Sequence, residues 1–159
     1  MRRPRFAVFA AALLAAPLAS AQVKLQNAWL RPAAAGQAAA MVYVDIESSR
    51  PLKLVGARSP VAKGARLVVV DAPGPEAAQK VVDAIDVAAN ETLRLAYLGS
   101  HVRLVEIGKD LTPGTAVPLE LEFVDASGQR SSASVDAMVR GIAARPPANA
   151  AAPDPAKAN

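Results

Sequence analysis

The chain contains no cysteine and only one histidine, and aromatic residues make up 4% of its 159 positions. Without cysteine there can be no disulfide bond, no thiolate nucleophile and no cysteine-based metal centre. A single histidine also excludes zinc motifs that are built on a histidine pair. The protein must therefore be held together by the packing of its apolar residues.

Motifs that are typical of enzymes are missing as well. The sequence has neither a G-x-S-x-G nucleophile elbow nor a glycine-rich phosphate loop. Asp83 and Asp86 are close in sequence, but residues three apart in a strand point to opposite faces. The sequence therefore predicts a protein that is not an enzyme, and binding functions become the main hypotheses.

The first 21 residues differ in composition from the rest of the chain. Three arginines are followed by the apolar run Phe6–Ala19 and by the small residues of Ala19–Ala21. This order predicts a secretory signal peptide over residues 1–21, with cleavage between Ala21 and Gln22. The apolar run is short for a membrane span, which needs about 20 residues. We therefore expect a periplasmic protein whose mature chain has no membrane span.

Removal of the signal peptide changes the charge of the protein. The full chain has 18 Lys and Arg against 14 Asp and Glu, and three of the arginines lie in the first 21 residues, which leaves 15 against 14. The mature chain is thus nearly neutral and offers no basic patch for nucleic acid. We expect no nucleic-acid partner.

Short apolar runs separated by turn residues fill the region from Gln22 to Gly141. Leu119, Leu121 and Phe123 alternate with glutamates, which is typical of an antiparallel strand buried on one face. Because no strongly amphipathic helix is visible, the pattern predicts an all-β sandwich or barrel of about eight or nine short strands. The candidates are Val23–Leu30, Ala38–Ser48, Leu52–Ser59, Ala65–Asp71, Val81–Val87, Thr92–Tyr97, His101–Ile107, Val117–Asp125 and Ser131–Val139.

The residues after Gly141 are rich in alanine and proline and contain almost no large apolar side chain. Such a composition cannot bury enough surface to offset the entropy of ordering the chain. The sequence therefore predicts one β domain over residues 22–141 and a disordered tail over residues 142–159.

Several segments, taken in order, are similar to one family of exported proteins. "NAWLRP" (Asn27–Pro32), the segment ending in "GSHVRLVEI" (Gly99–Ile107) and "LTPGTAVPLELEF" (Leu111–Phe123) resemble the periplasmic copper chaperones called PCu(A)C, also written PCuAC. The resemblance implies a cupredoxin-like Greek-key fold. It also implies a Cu(I) site of two histidines and two methionines, and delivery of copper toward the Cu(A) centre of cytochrome oxidase.

The ligands that this resemblance implies are mostly replaced here. The H-x-M pair of the family falls on His101 and Arg103, its first histidine falls near Val70, and its first methionine falls near Val81. His101 is therefore the one candidate metal ligand, and the alternative is a polar residue at a strand edge that has no function. Arg103 has no lone pair to offer a metal, and its charge opposes both a cation and the protonation of His101.

Three other side chains are candidates for a role. Met41 and Met138 carry thioether sulfur, which suits Cu(I), but methionines in alternating strands more often fill space in the core or lie at the surface. Trp29, the single tryptophan, is expected to be a buried core aromatic.

Two functional hypotheses follow from the sequence. The first is a copper chaperone-like protein that handles Cu(I), binds it weakly or with help from a partner, and works with cytochrome oxidase assembly proteins or another copper carrier. The second is a metal-free periplasmic interaction module that has lost copper binding and recognises a protein or a small anion through Arg103.

Overall fold

The fold is described here from a computed structural model, which places residues 23–71 and 78–141. The predicted signal peptide (1–21) and the predicted tail (142–159) lie outside the described residues. None of the described residues forms a helix that is long and apolar enough to cross a membrane.

The described residues form ten β-strands, which confirms the all-β prediction. The strand count exceeds the predicted eight or nine because the segment Val81–Val87 forms parts of two strands that pair with different neighbours. The strands are β1 (Val23–Leu30), β2 (Ala39–Ser48), β3 (Leu52–Arg58), β4 (Ala62–Val70), β5 (Gln79–Val82), β6 (Ile85–Val87), β7 (Thr92–Leu95), β8 (His101–Ile107), β9 (Ala116–Asp125) and β10 (Arg130–Val139).

The strands pair in one continuous order, β5-β4-β8-β2-β1-β10-β9-β3-β6, and the sheet curls into a nearly closed barrel. β1 and β10 run parallel, whereas the other pairs are antiparallel. The first half of β2 pairs with β8 and its second half with β7, so these two strands follow one another along the same edge of β2.

The inner face of the sheet forms one hydrophobic core. Alternate residues of the long strands point inward, as the period-2 pattern of β9 predicts, and Leu119, Leu121 and Phe123 are almost fully buried there. From β2 and β8, Val42, Val44, Val102 and Leu104 join the same core. At about 25 cal/mol per Å² of apolar surface, this burial is the main source of stability in a chain that has no disulfide.

A β-bulge in β1 decides which face of the sheet carries the tryptophan. Pairing with β2 shifts register between Gln26 and Trp29, and Asn27 adopts a positive φ of 53°. Asn tolerates this left-handed conformation better than most residues, and its Nδ2 donates a 2.8 Å hydrogen bond to Asp45. The bulge turns Ala28 and Leu30 inward and leaves Trp29 half-buried on the outer face. The expectation that Trp29 lies in the core is therefore wrong.

Candidate metal-binding face

Strand register gathers the candidate side chains on the outer face of the sheet. Met41 of β2 lies directly opposite Arg103 of β8, and His101 of β8 lies opposite Val68 of β4. On the other side of β2, Tyr43 pairs with Trp29. We call the set Trp29, Met41, Tyr43, His101 and Arg103 the His101 face.

A small buried cluster lies under this face and is separate from the main core. Tyr43 and His101 are only 1% and 2% exposed, and Val68 is fully buried, yet none of them belongs to the inner hydrophobic cluster. The ring of Tyr43 is central, with its centroid 4.4 Å from Trp29, 6.1 Å from Tyr97 and 6.3 Å from His101. Aromatic contacts of this kind stabilise a cluster beyond the area that they bury.

The turn between β7 and β8 lies beside Tyr43. Val44 of β2 pairs with Leu95, and Val42 pairs with Val102, so the intervening residues loop out of the ladder. The turn is closed by hydrogen bonds from the Gly99 amide to the Ala96 carbonyl (3.0 Å) and from the Ala96 amide to the Ser100 carbonyl (2.9 Å). These contacts fix the backbone immediately before His101.

The hydrogen bonding of His101 identifies its tautomer. Nδ1 lies 2.8 Å from the Gly99 carbonyl oxygen, which can only accept, so Nδ1 carries the proton. Nε2 therefore keeps its lone pair, and this atom is shielded from solvent without any hydrogen-bond partner in residues 23–71 and 78–141. A ring that is oriented by one nitrogen and offers the other is the usual arrangement of a metal-binding histidine.

The charge state of His101 favours the same conclusion. Burial lowers the pKa of His101 below the usual 6.5, the positive charge of Arg103 lowers it further, and the bond to Gly99 only partly opposes these effects. The imidazole is therefore neutral near pH 7, which is the form that binds a metal.

Met41 is the soft side chain nearest to His101 along the ladder. Because Met41 pairs with Arg103, it lies diagonally across from His101, a spacing of about 7–8 Å that long side chains can bridge. Its sulfur accepts a hydrogen bond from the Tyr43 hydroxyl at 3.6 Å. Burial raises the pKa of Tyr43, so the hydroxyl keeps its proton and can donate.

Sequence reasoning did not connect Met41 with His101, because 60 positions separate them in the chain. The signal that links them is the β2–β8 register, which only the fold reveals. The second methionine, Met138, also lies on the outer face, but it is opposite Trp29 and therefore farther from His101. The two methionines are similarly exposed, at 37% and 39%.

The other positions that the PCuAC resemblance implies lie on the same side of the sheet. Val81 of β5 pairs with Val68, and Gln79 pairs with Val70. Val70, Val81, His101 and Arg103 thus share one face across β4, β5 and β8, but both valines are hydrocarbon and cannot bind a metal. Within residues 23–71 and 78–141 there is no group of three or more His, Cys, Asp or Glu residues that could hold a metal ion.

Arg103 is tied to the sheet but not neutralised. Its Nη2 donates to the Gln79 side-chain oxygen, and its Nε is shielded and finds no partner in the part of the chain that the structure describes. Opposite it on β4 stands a second arginine, Arg66. The face therefore combines a neutral imidazole, a thioether and two guanidinium groups.

A shallow groove borders the aromatic cluster. It has a volume of about 320 Å³ and is lined by Trp29, Tyr97, Gly141 and two arginines. The guanidinium of Arg31 lies 5.6 Å from the Tyr97 ring centre, and that of Arg140 lies 5.9 Å from the Trp29 ring centre. These cation–π contacts hold positive charge over the aromatic end of the His101 face.

A family model described as "Putative lipoprotein LpqE-like" matches residues 23–135 of the chain. The chain belongs to the LpqE-like family. A curated relative, "Putative lipoprotein Lxx21020" of Leifsonia xyli subsp. xyli, is 32% identical over 106 residues, or 66% of this chain. The match spans 64% of that relative, so the chain covers just under two thirds of its length.

Solved structures with the same fold include PCuAC domains. The copper-bound PCuAC domain from PmoF2 superposes with a TM-score of 0.59 at 26% identity, covering 75% of this chain and 92% of that domain. The Cu(I) form of DR1885 from Deinococcus radiodurans gives a TM-score of 0.56 at 28% identity, covering 72% of this chain and 75% of the other. This LpqE-like chain therefore has the cupredoxin-like fold that its resemblance to PCuAC implies.

Proposed function

We propose that this LpqE-like protein is an exported copper-handling module that carries Cu(I) on its His101 face. The signal-peptide pattern and the lipoprotein description of its family support export to the periplasm. Copper-bound neighbours of the same fold support the choice of metal. Copper is a cargo in this proposal, and no reaction is assigned to the protein.

One observation carries the proposal. Nε2 of His101 is buried, deprotonated and without a partner among the described residues, which is costly for a polar atom unless something uses it. A metal ion that accepts this lone pair would satisfy the atom.

The chemistry of the neighbouring groups selects the kind of metal. Imidazole and thioether ligands suit Cu(I), whereas Mg²⁺ and Ca²⁺ need oxygen ligands and structural zinc needs four donors. We propose His101 Nε2 as the first ligand and Met41 sulfur as the second. Arg103 contributes no ligand, so we expect weaker binding than a site of two histidines and two methionines would give.

A site with few protein ligands also suits the transfer of Cu(I) to a partner protein. A partner that supplies the missing donors would strengthen binding while the two proteins are in contact, and would remove the ion when its own ligands bind better. Cytochrome oxidase assembly proteins and other copper carriers are the proposed partners, as the PCuAC resemblance implies.

A competition titration of Cu(I) with a chromophoric chelator tests this function. The chain lacking residues 1–21 is compared with His101→Gln, Met41→Leu and Met138→Leu, each checked for folding by circular dichroism. We expect His101→Gln to weaken Cu(I) binding by about tenfold or more, since each factor of ten corresponds to about 1.4 kcal/mol.

The two methionines provide a matched pair in this experiment. Both are exposed to a similar degree on the same face, but only Met41 lies diagonal to His101. Met41→Leu should weaken binding and Met138→Leu should not. An affinity that is equal in wild type and His101→Gln would overturn the copper proposal, and equal losses in the two methionine variants would remove Met41 from the site.

The second candidate is the metal-free interaction module. It is favoured by the two arginines that share the outer face with His101 and Met41, because fixed positive charges oppose a cation. If the titration detects no Cu(I) binding, this candidate becomes the leading one.

A further inference from the structure

Where the register of the described strands sets two charged residues directly opposite each other, the two charges have opposite sign, with one exception. Lys24 faces Glu47, Lys53 faces Asp86, and Lys63 bonds Glu106 at 2.8 Å. The exception is Arg66 of β4, which stands directly opposite Arg103 of β8. Directly opposed side chains have Cβ atoms about 4.5–5.5 Å apart, and like charges at that distance destabilise the sheet.

Neither arginine is compensated by an acidic group in the part of the chain that the structure describes. The ion pairs of Lys24, Lys53, Arg58 and Lys63 involve other residues. Among the described residues, Arg103 bonds the neutral oxygen of Gln79, and its buried Nε has no partner there. Arg66 is exposed on the same face. Two positively charged side chains with several N–H donors therefore start from directly opposed positions on the outer face.

A local rule that is broken without compensation often marks a functional site. A negatively charged ligand would balance this pair, and guanidinium forks match the oxygens of an oxyanion. A dianion balances the two positive charges, whereas a single carboxylate would leave one unbalanced.

We propose that Arg66 and Arg103 form a binding site for a dianionic oxyanion of the phosphate type. Gln79 orients the Arg103 guanidinium, and Arg66 completes the site from the adjacent strand. The exposed position of Arg66 makes the site reachable from solvent. The inference does not depend on copper binding, because it uses neither His101 nor Met41.

Titration of the metal-free chain lacking residues 1–21 with inorganic phosphate tests the site. Binding is followed by calorimetry at pH 8, where phosphate is mainly the dianion, with chloride added to keep ionic strength constant. We expect saturable binding, weakened by about tenfold or more in both Arg66→Gln and Arg103→Gln, since a charge-assisted hydrogen bond is lost in each. Sulfate should compete with phosphate, and acetate should compete poorly.

Arg130→Gln is the matched control, because Arg130 is exposed on β10 and faces Val124 rather than another arginine. It should bind phosphate as the wild type does. Absence of binding to wild type at millimolar phosphate, or equal binding in all three variants, would overturn the proposal. Acetate that binds as tightly as phosphate would show that charge matching is not the basis of recognition.

The same chemistry could be presented by a free phosphate or by a lipid headgroup. Co-sedimentation with vesicles that contain phosphatidic acid distinguishes these sources. Sedimentation that is lost in Arg66→Gln and Arg103→Gln assigns the lipid, whereas phosphate binding without sedimentation assigns the soluble ion. The same variants are also titrated with Cu(I). Because the phosphate titration tests the arginine site and the Cu(I) titration tests the His101 face, either proposal can fail without the other.

Discussion

The two faces of the β2–β8 ladder differ in what holds them in place. On the inner face, Val42 lies opposite Val102 and Ala40 opposite Leu104, and these side chains pack into the main core. On the outer face, Met41 lies opposite Arg103, and Tyr43 packs against His101. The side chains of the inner face are held by the fit of their shapes and volumes, whereas those of the outer face are held by contacts between particular atoms.

This difference shows how one ladder can serve stability and binding at once. An inner valine can be replaced by another apolar residue of similar volume with little loss. His101 has no such substitute, because its role rests on one lone pair and one hydrogen bond to Gly99. Changes on the inner face should therefore affect stability, and changes on the outer face should affect ligand binding.

The largest effect is expected for a deletion in the core. Phe123→Ala removes a fully buried ring and should lower the free energy of unfolding by about 3–5 kcal/mol, because a cavity remains. Tyr97→Ala, on the outer face, should cost only about 1 kcal/mol for its contact with Tyr43. Urea denaturation measures both variants, and equal losses would contradict the contrast between the faces.

A smaller effect is expected at the bulge that places Trp29 outside. Asn27→Val puts a β-branched residue at a φ of 53° and should lower stability by about 1–3 kcal/mol. Asn27→Gly keeps the backbone relaxed and loses only the bond to Asp45, so it should be the milder change. Unfolding can be followed by the fluorescence of Trp29, the single tryptophan. If Asn27→Val is as stable as Asn27→Gly, the positive φ at this position does not strain the backbone.

The next effect concerns the pH dependence of stability in the metal-free protein. The pKa of His101 is lower in the folded state than the 6.5 of an unperturbed imidazole, because of burial and Arg103. The unfolded chain therefore binds the proton more readily. The stability that the neutral His101 side chain contributes is fully present above about pH 6.5, and it is lost as the pH falls through the pKa of His101 in the folded state.

Unfolding at a series of pH values from 7.5 down to about 4.5 measures this effect. His101→Gln should have a flatter profile in that range. The carboxyl pKa of Asp125 is lowered by its bond to Ser127, so its influence falls at more acidic pH. An unchanged slope in His101→Gln would mean that another group causes the pH dependence.

The smallest effect concerns the opposed arginines. Arg66→Gln removes one of two like charges and should raise stability by about 0.2–1 kcal/mol in dilute chloride buffer. The gain should shrink as salt is added, because exposed charges are screened. Arg130→Gln, which relieves no such repulsion, should leave stability unchanged. A loss of stability in Arg66→Gln would indicate that the repulsion has been misjudged.

Much of the fold could be predicted from the sequence because burial on one face leaves a period of two. The strand His101–Ile107 was predicted with its observed bounds, and the alternation of β9 predicted which residues enter the core. The sequence predicts one strand over Val81–Val87 because its apolar residues run on without a turn motif. Its change of partner from β4 to β3 depends on contacts distant in sequence.

The sequence by itself determined an all-β chain with an apolar core, one histidine and an arginine two positions beyond it. These features follow from composition and local periodicity. Only the tertiary structure decided that Met41 lies diagonal to His101 and that Arg66 stands against Arg103, because cross-strand neighbours are set by register. It also decided that Trp29 faces outward, because one bulge at Asn27 reverses the alternation that the pattern predicts.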